Sequence, residues 1–163
     1  MIRALAFIAA IAAPLPGLAL SCLPYGPVDA FWAAAESEDR YVVVRGRLDF
    51  NPARLPVVDW EKQEETPPLT TFNASFAGFS LTQEGFTARF VRTIRAEVAC
   101  YGPWCSTLVP GAEVLGFLRK DGSSYVLATD PCGGFAFTNP TEEMVNSVVR
   151  CFRGGPCEPT NHE

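Results

Sequence analysis

A β-hairpin with cysteines on both sides is the feature of this sequence that most constrains its fold. Two apolar runs flank an Asp121-Gly122 dipeptide, which is the strongest short-range hairpin signal. Cys100 and Cys105 precede the hairpin, and Cys132 follows it. Disulfides are therefore expected to anchor its open end, and the rest of the chain is expected to wrap around it as a small β domain.

The remaining periodicities predict three more strands and two helices. β-branched and aromatic residues, with strict alternation after Thr70, indicate strands. An apolar stripe at helical spacing predicts the first helix, whose Phe31 and Trp32 are expected to plug the mouth of a barrel. Asn139 as N-cap and Pro140 at the first helical position mark the second helix. The predicted strands span residues 41–50, 70–82, 86–99, 112–119 and 123–130, and the helices span 28–37 and 140–152.

Several single residues carry predictions of their own. Gly46 is expected at a bulge or bend of the first strand. The proline-rich, acidic stretch 51–68 predicts a surface loop. Its Trp60 either packs back on the barrel, which is the favoured interpretation, or is an exposed contact. Phe117 and Val126 are expected to point into the barrel from the central hairpin.

The first residues are typical of a secretory signal peptide. Arg3 precedes an unbroken apolar run from Ala4 to Ala13, and prolines and a glycine follow. Cleavage before Leu20 and cleavage before Cys22 both stay open. No later stretch approaches the ~18 apolar residues of a membrane helix, so a secreted or periplasmic protein without a membrane span is expected. The predicted organisation is a signal peptide over residues 1–21, one domain over 22–157 and a disordered tail over 158–163.

Cysteine number and net charge limit the partners. Six cysteines beyond the signal predict a disulfide framework, and lipidation of Cys22 would leave an odd thiol, so no lipid anchor is expected. The formal net charge is −5, and an acidic protein repels phosphate backbones, so nucleic acid is not an expected partner. The six residues are Cys22, Cys100, Cys105, Cys132, Cys151 and Cys157.

Four arginines predict a basic stripe on this acidic protein. Arg45 and Arg47 lie on the first strand, and Arg89 and Arg95 share one face of the third. The stripe either binds a partner or is solvated and paired with local acids such as Glu97.

Catalytic and metal-binding patterns are weak. The single histidine, His162, lies in the tail, so the sequence offers no Ser-His-Asp or Cys-His arrangement, and neither a metal nor a cofactor is expected. Four residues separate Cys100 from Cys105, whereas a redox site uses Cys-x-x-Cys at a helix N-terminus, so a structural disulfide is expected. Gly133-Gly134 is expected to be a turn, because a phosphate loop needs a following Lys and helix. Carboxylate-only hydrolysis stays open without a spacing that indicates it.

Five stretches together resemble the netrin-like domain of netrins, complement components and tissue inhibitors of metalloproteinases. An N-terminal cysteine and short helix, five strands, and a closing helix that ends in a cysteine are the shared pattern. The resemblance implies a mainly β fold, a five-stranded OB-like barrel with an N-terminal and a C-terminal helix, tied by disulfides. The stretches are Cys22-Leu23-Pro24, residues 35–48, Val98-Ala99-Cys100, Tyr125-Val126-Leu127, and Cys132 through Cys151.

Two disulfide pairings stay open, because the cysteine pattern departs from that of the family. The first joins Cys100 to Cys105, Cys151 to Cys157 and Cys22 to Cys132. The second, closer to the family, joins Cys22 to Cys100 and Cys105 to Cys132.

For function, the resemblance implies a non-catalytic binding or inhibitory module whose partner is a protein of the cell envelope or exterior. In the metalloproteinase inhibitors, the mature N-terminal cysteine presents its α-amino group and carbonyl to the protease zinc. Cleavage before Cys22 would place this chain's cysteine in that position. A periplasmic thiol-disulfide or hydrolytic enzyme is the alternative, which a count of free thiols would separate from the module. The expected binding residues are Cys22, Leu23, Pro24 and Trp104.

Overall fold

The computed structural model describes residues 20–159. The predicted signal peptide up to residue 19 and the tail from residue 160, with His162, lie outside the described residues. The described chain is mainly β, as predicted, with two α-helices and short 3-10 turns at Pro52–Arg54 and Gln63–Glu65. Its elements are α1 (Pro27–Glu36), β1 (Tyr41–Asp49), β2 (Leu69–Thr82), β3 (Gly85–Tyr101), β4 (Trp104–Cys105), β5 (Glu113–Asp121), β6 (Ser124–Asp130), β7 (Gly133–Gly134), β8 (Ala136–Thr138) and α2 (Glu142–Phe152).

Five of the strands close into a ring in the order β1, β2, β3, β6, β5 and back to β1. Neighbours in the ring are antiparallel, except that β3 and β6 run parallel. In that parallel pair Val98 lies opposite Thr129. The two strands therefore end side by side, so that Cys100 and Cys132 leave the sheet at the same end.

Alternating side chains fill the inside of the ring. In β2, Phe72, Ala74 and Phe76 are buried, whereas the residues between them are exposed. This confirms the period of two predicted for the strand. The interior cluster comprises Val44, Leu48, Phe50, Phe72, Ala74, Phe76, Phe90, Ile94, Ala96, Val98, Leu108, Val114, Leu118 and Leu127.

A second cluster lies on the outer face of β5, under the two helices. It joins Ala30 of α1 and Val148 of α2 to Leu115 and Phe117 of β5. Phe117 alternates with the interior residues Val114 and Leu118, so it points out toward the helices. The prediction that Phe117 points into the ring is therefore wrong, although the side chain is fully buried.

Two related predictions need the same correction. Val126 is fully buried but lies opposite Arg119, in the outer row of the sheet rather than in the interior cluster. Phe31 packs against the cluster under the helices and not in the mouth of the ring. Trp32 is 38% exposed, and its indole N–H donates to the carbonyl of Cys157 (2.9 Å). The buried side of α1 is formed by Pro27, Ala30, Phe31 and Ala34, so the predicted stripe that included Trp32 is rotated from the side that packs.

Strands β1 and β2 approach each other unusually closely where Gly46 lies opposite Gly78. A Cβ on Gly46 would lie 2.6 Å from the Cα of Gly78, and a Cβ on Gly78 would overlap the carbonyl oxygen of Arg45. The register of β1 continues through this point without a shift. Gly46 is therefore a site of close backbone approach and not the predicted bulge.

Gly78→Ala is expected to lower the free energy of unfolding by about 1–3 kcal/mol or more, because the added methyl meets backbone atoms that cannot rotate away. Gly116→Ala is the matched control in the same sheet, since its Cβ would meet only side-chain atoms, at 3.4 Å and beyond. Urea unfolding of both variants measures the difference. A loss for Gly78→Ala no larger than that for Gly116→Ala would contradict the close approach.

The predicted start of the second helix is wrong by two residues. The N-cap of α2 is Thr141, whose hydroxyl accepts a hydrogen bond from the N–H of Met144 (3.2 Å). Asn139 takes a left-handed φ of 49° and Pro140 precedes the cap. A Thr hydroxyl one residue after the proline therefore satisfies a helix N–H that Asn139 lies too far away to reach.

Two further predictions are corrected. Gly133 and Gly134 form β7, which pairs with the end of β6 through Thr129 and Asp130, and are not merely a turn. Trp60 is 64% exposed, so it does not tether the loop between β1 and β2 to the ring. An isolated aromatic within a loop carries no periodicity that could have shown which way it points.

Candidate functional site

A disulfide holds the N-terminal segment against the end of the ring. Cys22 is bonded to Cys132 across 110 residues, with a Cα–Cα distance of 5.1 Å. The N–H of Cys132 in turn donates to the carboxylate of Asp130 (2.8 Å). The segment formed by residues 22–25, here called the N-terminal segment, is thus covalently attached to the chain that leaves β6.

Tyr25 fixes the other end of the N-terminal segment. Its ring stacks on Phe137, with centroids 6.5 Å apart and planes 9° apart. It also lies so close to Gly133 that a Cβ there would be 2.8 Å from the ring. Between the two attachments, Pro24 is exposed and Leu23 is 68% exposed. The segment therefore presents an apolar side chain to solvent from a position fixed on both sides.

Tyr25 is 36% exposed, and its partial burial, reinforced by the nearby carboxylates Asp29 and Asp130, raises its pKa to about 12. In a spectrophotometric titration of the folded protein, one tyrosine is expected to ionise about two units above the ordinary value near 10. Because the pKa of Tyr25 is higher in the folded state than in the unfolded state, its contribution to the free energy of unfolding is complete below pH ~10. This contribution is lost as the pH rises from ~10 toward 12. Tyr25→Phe should remove the late step, and a late step that survives this change would contradict the anchoring role.

A shallow groove of about 220 Å³ lies at the same end of the ring. Its apolar lining includes Leu69, Ala99, Ala128 and Phe135, and it reaches Asp130, the residue that also orients Cys132. Leu69 is 53% exposed. An apolar groove thus adjoins the attachment point of the N-terminal segment. Leu69 opens β2 with no flanking motif, so the sequence offered no signal that it lines a groove.

Trp104 lies on a separate hairpin at the end of β3. The disulfide from Cys100 to Cys105 closes this hairpin, in which Trp104 pairs with Tyr101. Trp104 is half-buried, whereas Tyr101 is 47% exposed. Of the four expected binding residues, Cys22, Leu23 and Pro24 lie together and Trp104 belongs to a different element.

The six cysteines form three disulfides, which match the first of the two pairings considered. Cys100 is only 4% exposed, and a buried sulfur is poorly accessible to an attacking thiolate. Within residues 20–159, no group of three or more His, Cys, Asp or Glu side chains is arranged to hold a metal ion. In the same range, no helix combines the length and apolar character needed to cross a membrane.

Half of the predicted arginine stripe is paired with local acids. Arg45 donates from Nε to Glu113 (2.6 Å) and from Nη2 to Glu142 (2.6 Å). The hydrogen bonds to Glu142 and then to Glu113 raise the pKa of Arg45, and the guanidinium lowers the pKa of Glu142. Arg95 is bonded to Asp121 (2.7 Å) and Glu97 (3.2 Å). For Arg45 and Arg95, the interpretation that the stripe is solvated and paired with local acids is therefore confirmed.

No protein-family model matches the chain, and no curated protein or solved structure does either.

Proposed function

We propose that this chain is a secreted or periplasmic, non-catalytic binding or inhibitory module that contacts a protein partner through the N-terminal segment. The exposed Leu23, between the Cys22 disulfide and the Tyr25 ring stack, is the observation that carries the proposal. A partner that covers an exposed apolar side chain removes apolar surface from water, which favours binding. A segment that is already held in place also loses little conformational entropy on binding. The neighbouring groove offers the partner a second apolar surface.

The proposed fold identity is an OB-type barrel of the netrin-like kind. The ring of five strands, in which β3 and β6 form the single parallel pair, supports this assignment, since the OB-fold is a five-stranded, partly open Greek-key barrel. The order of elements, with the N-terminal Cys22 tied to the ring and a closing helix that contains Cys151, supports the netrin-like part. The observed disulfide pairing is not the one closer to that family. Three disulfides are compatible with the oxidising compartment into which the proposed signal peptide would direct the chain.

A thiol-disulfide enzyme in the same compartment predicts a different cysteine chemistry. The module predicts no titratable thiol in the denatured, unreduced protein, since all six cysteines are bonded. It also predicts that the Cys100–Cys105 disulfide is not reduced by a mild dithiol while the domain is folded, since Cys100 is only 4% exposed. Mass spectrometry after alkylation measures both, and alkylation of this pair without denaturant would favour the enzyme.

If the module is an inhibitor, its N-terminus would bind the zinc of a metalloprotease. A chain that begins at Cys22 would carry a free α-amino group of pKa ~7.7–8.0, so part of it is neutral and able to ligate a protease zinc at neutral pH. Such a chain is expected to inhibit a zinc metalloprotease, and one alanine added before Cys22 should abolish the inhibition. Val109→Ala is the matched control, since Val109 is an exposed residue outside the N-terminal segment.

N-terminal sequencing of the secreted protein is the first check of this form. A mature chain that begins at Leu20 would contradict zinc ligation by Cys22 but would leave contact through Leu23 intact. Equal inhibition by the native and the extended chain would also contradict it.

A further inference from the structure

One exposed face of the sheet combines apolar and basic side chains. In one row, Ala77 lies between Arg47 and Val91, and Glu113 lies on the other side of Arg47. In the next row, Phe79 lies between Arg45 and Arg89. We call Arg47, Ala77, Val91, Phe79 and Arg89 the arginine–phenylalanine face. Phe79 is 48% exposed and Val91 is 47% exposed. An open groove of about 480 Å³ runs along the face between β1 and β2.

The two arginines of the face differ from the other two of the stripe. Arg47 and Arg89 are exposed, and neither takes part in a salt bridge with another of the described residues. Arg45 and Arg95, by contrast, each have two carboxylate partners. The face therefore carries two arginines without a salt bridge next to exposed apolar surface, on a chain with a net charge of −5. Glu113, which lies opposite Arg47, is paired with Arg45.

The complementary combination occurs in the loop between β1 and β2. Residues 57–65, here called the acidic loop, carry Val57, 86% exposed, and Trp60, 64% exposed. The carboxylates of Asp59, Glu61 and Glu64 surround this tryptophan in the sequence. The only base within the loop, Lys62, lies 3.6 Å from Glu65, so the other three acids have no basic neighbour of the loop to neutralise them.

Hydrogen bonds within the acidic loop hold Trp60 in a defined turn. Asp59 accepts from the N–H of Glu61 through its carboxylate (2.9 Å) and from the N–H of Lys62 through its carbonyl (3.1 Å). The side-chain amide of Gln63 donates to the carbonyl of Trp60 (3.1 Å). A loop ordered in this way presents its tryptophan at a low entropic cost of binding.

We propose that the acidic loop of one copy of this chain docks on the arginine–phenylalanine face of a second copy. Trp60 of one copy covers Phe79 of the other, while the loop carboxylates approach Arg47 and Arg89. Within one chain, Trp60 and Phe79 are both exposed, so the two surfaces do not cover each other. A second copy supplies an aromatic side chain to cover Phe79 and negative charges to approach Arg47 and Arg89. Tryptophan and arginine are among the residues that most often dominate interface energies.

The contact joins two different surfaces, which fixes the kind of assembly. Either two copies dock reciprocally or the copies join head to tail, in a ring or an open chain. The N-terminal segment belongs to neither surface. Failure of the proposed partner contact at Leu23 and failure of this self-association are therefore separate outcomes.

Complementation between two variants of the full mature chain tests the proposal by analytical ultracentrifugation. A face variant, Arg47→Glu with Arg89→Glu, keeps its acidic loop, and a loop variant, Glu61→Lys with Glu64→Lys, keeps its face. Each variant alone is expected to associate at least tenfold more weakly than the native chain, because like charges then oppose docking. In an equimolar mixture, the native loop of the face variant meets the native face of the loop variant, and the reversed loop and reversed face also attract each other. Association is therefore expected to recover, with both variants present in equal amounts. Lys120→Glu, an exposed charge reversal outside both surfaces, should associate like the native chain.

Association of the native chain should weaken as ionic strength rises, since the attraction is between exposed charges. A native chain that stays monomeric up to about 1 mM would overturn the proposal. Self-association that neither variant weakens, or variants that fail to complement although their thermal unfolding is native-like, would also overturn it.

Discussion

Replacing Cys22 and Cys132 together by serine is expected to lower the free energy of unfolding by about 4–5 kcal/mol. The disulfide joins residues that lie 110 positions apart, so its loss returns a large amount of conformational entropy to the unfolded chain. The same change frees one end of the N-terminal segment. Urea unfolding without reductant, followed by tryptophan fluorescence, measures the loss.

The disulfide between Cys100 and Cys105 provides the matched control. It spans only 5 positions, so the same loop-entropy relation gives about 2 kcal/mol for its removal by two serines. Equal losses for the two double variants would show that loop entropy does not set the contribution of the long disulfide.

Phe117→Ala is expected to cost about 3–5 kcal/mol, because the side chain is fully buried between β5 and the two helices. The cavity would lie between the helices and the sheet, so α1 and α2 should lose packing as the protein loses stability. Thermal unfolding and amide hydrogen exchange of the two helices measure the two effects.

Phe79→Ala removes the same number of atoms from an exposed site and serves as the control. With a side chain 48% exposed, its loss should cost clearly less than that of Phe117. Similar costs for the two variants would contradict the position of the helices on the outer face of β5.

The strands of the ring could be predicted because each is specified by local signals. The Asp121-Gly122 turn, the alternation in β2 and the β-branched run of β1 recur in the structure within about two residues of the expected bounds. Strands β4, β7 and β8 were missed, because segments of two or three residues carry no periodicity. They exist only through pairing, with β3, β6 and β5 respectively.

Features that depend on two distant residues could not be derived from the sequence. Gly46 is close to Gly78 only because β1 and β2 pair in one particular register. In the same way, the periodicity of β5 showed that Val114 and Phe117 face opposite sides, but not that the helices bury the second side. For the candidate site, the sequence indicated Cys22, but the groove beside it is assembled from residues of β2, β3, β6 and β7, which are distant in the sequence.

Photocrosslinking tests whether the N-terminal segment contacts a partner, as proposed. One variant carries a photoreactive amino acid at position 23, and a second carries it at position 109, which is also exposed but lies outside the segment. Both are irradiated in the fraction of the culture in which the native protein is found. We expect one discrete protein adduct from position 23 that is absent from position 109 and is competed away by the unlabelled native chain. No adduct at position 23, or the same adducts from both positions, would show that the segment is not the contact surface.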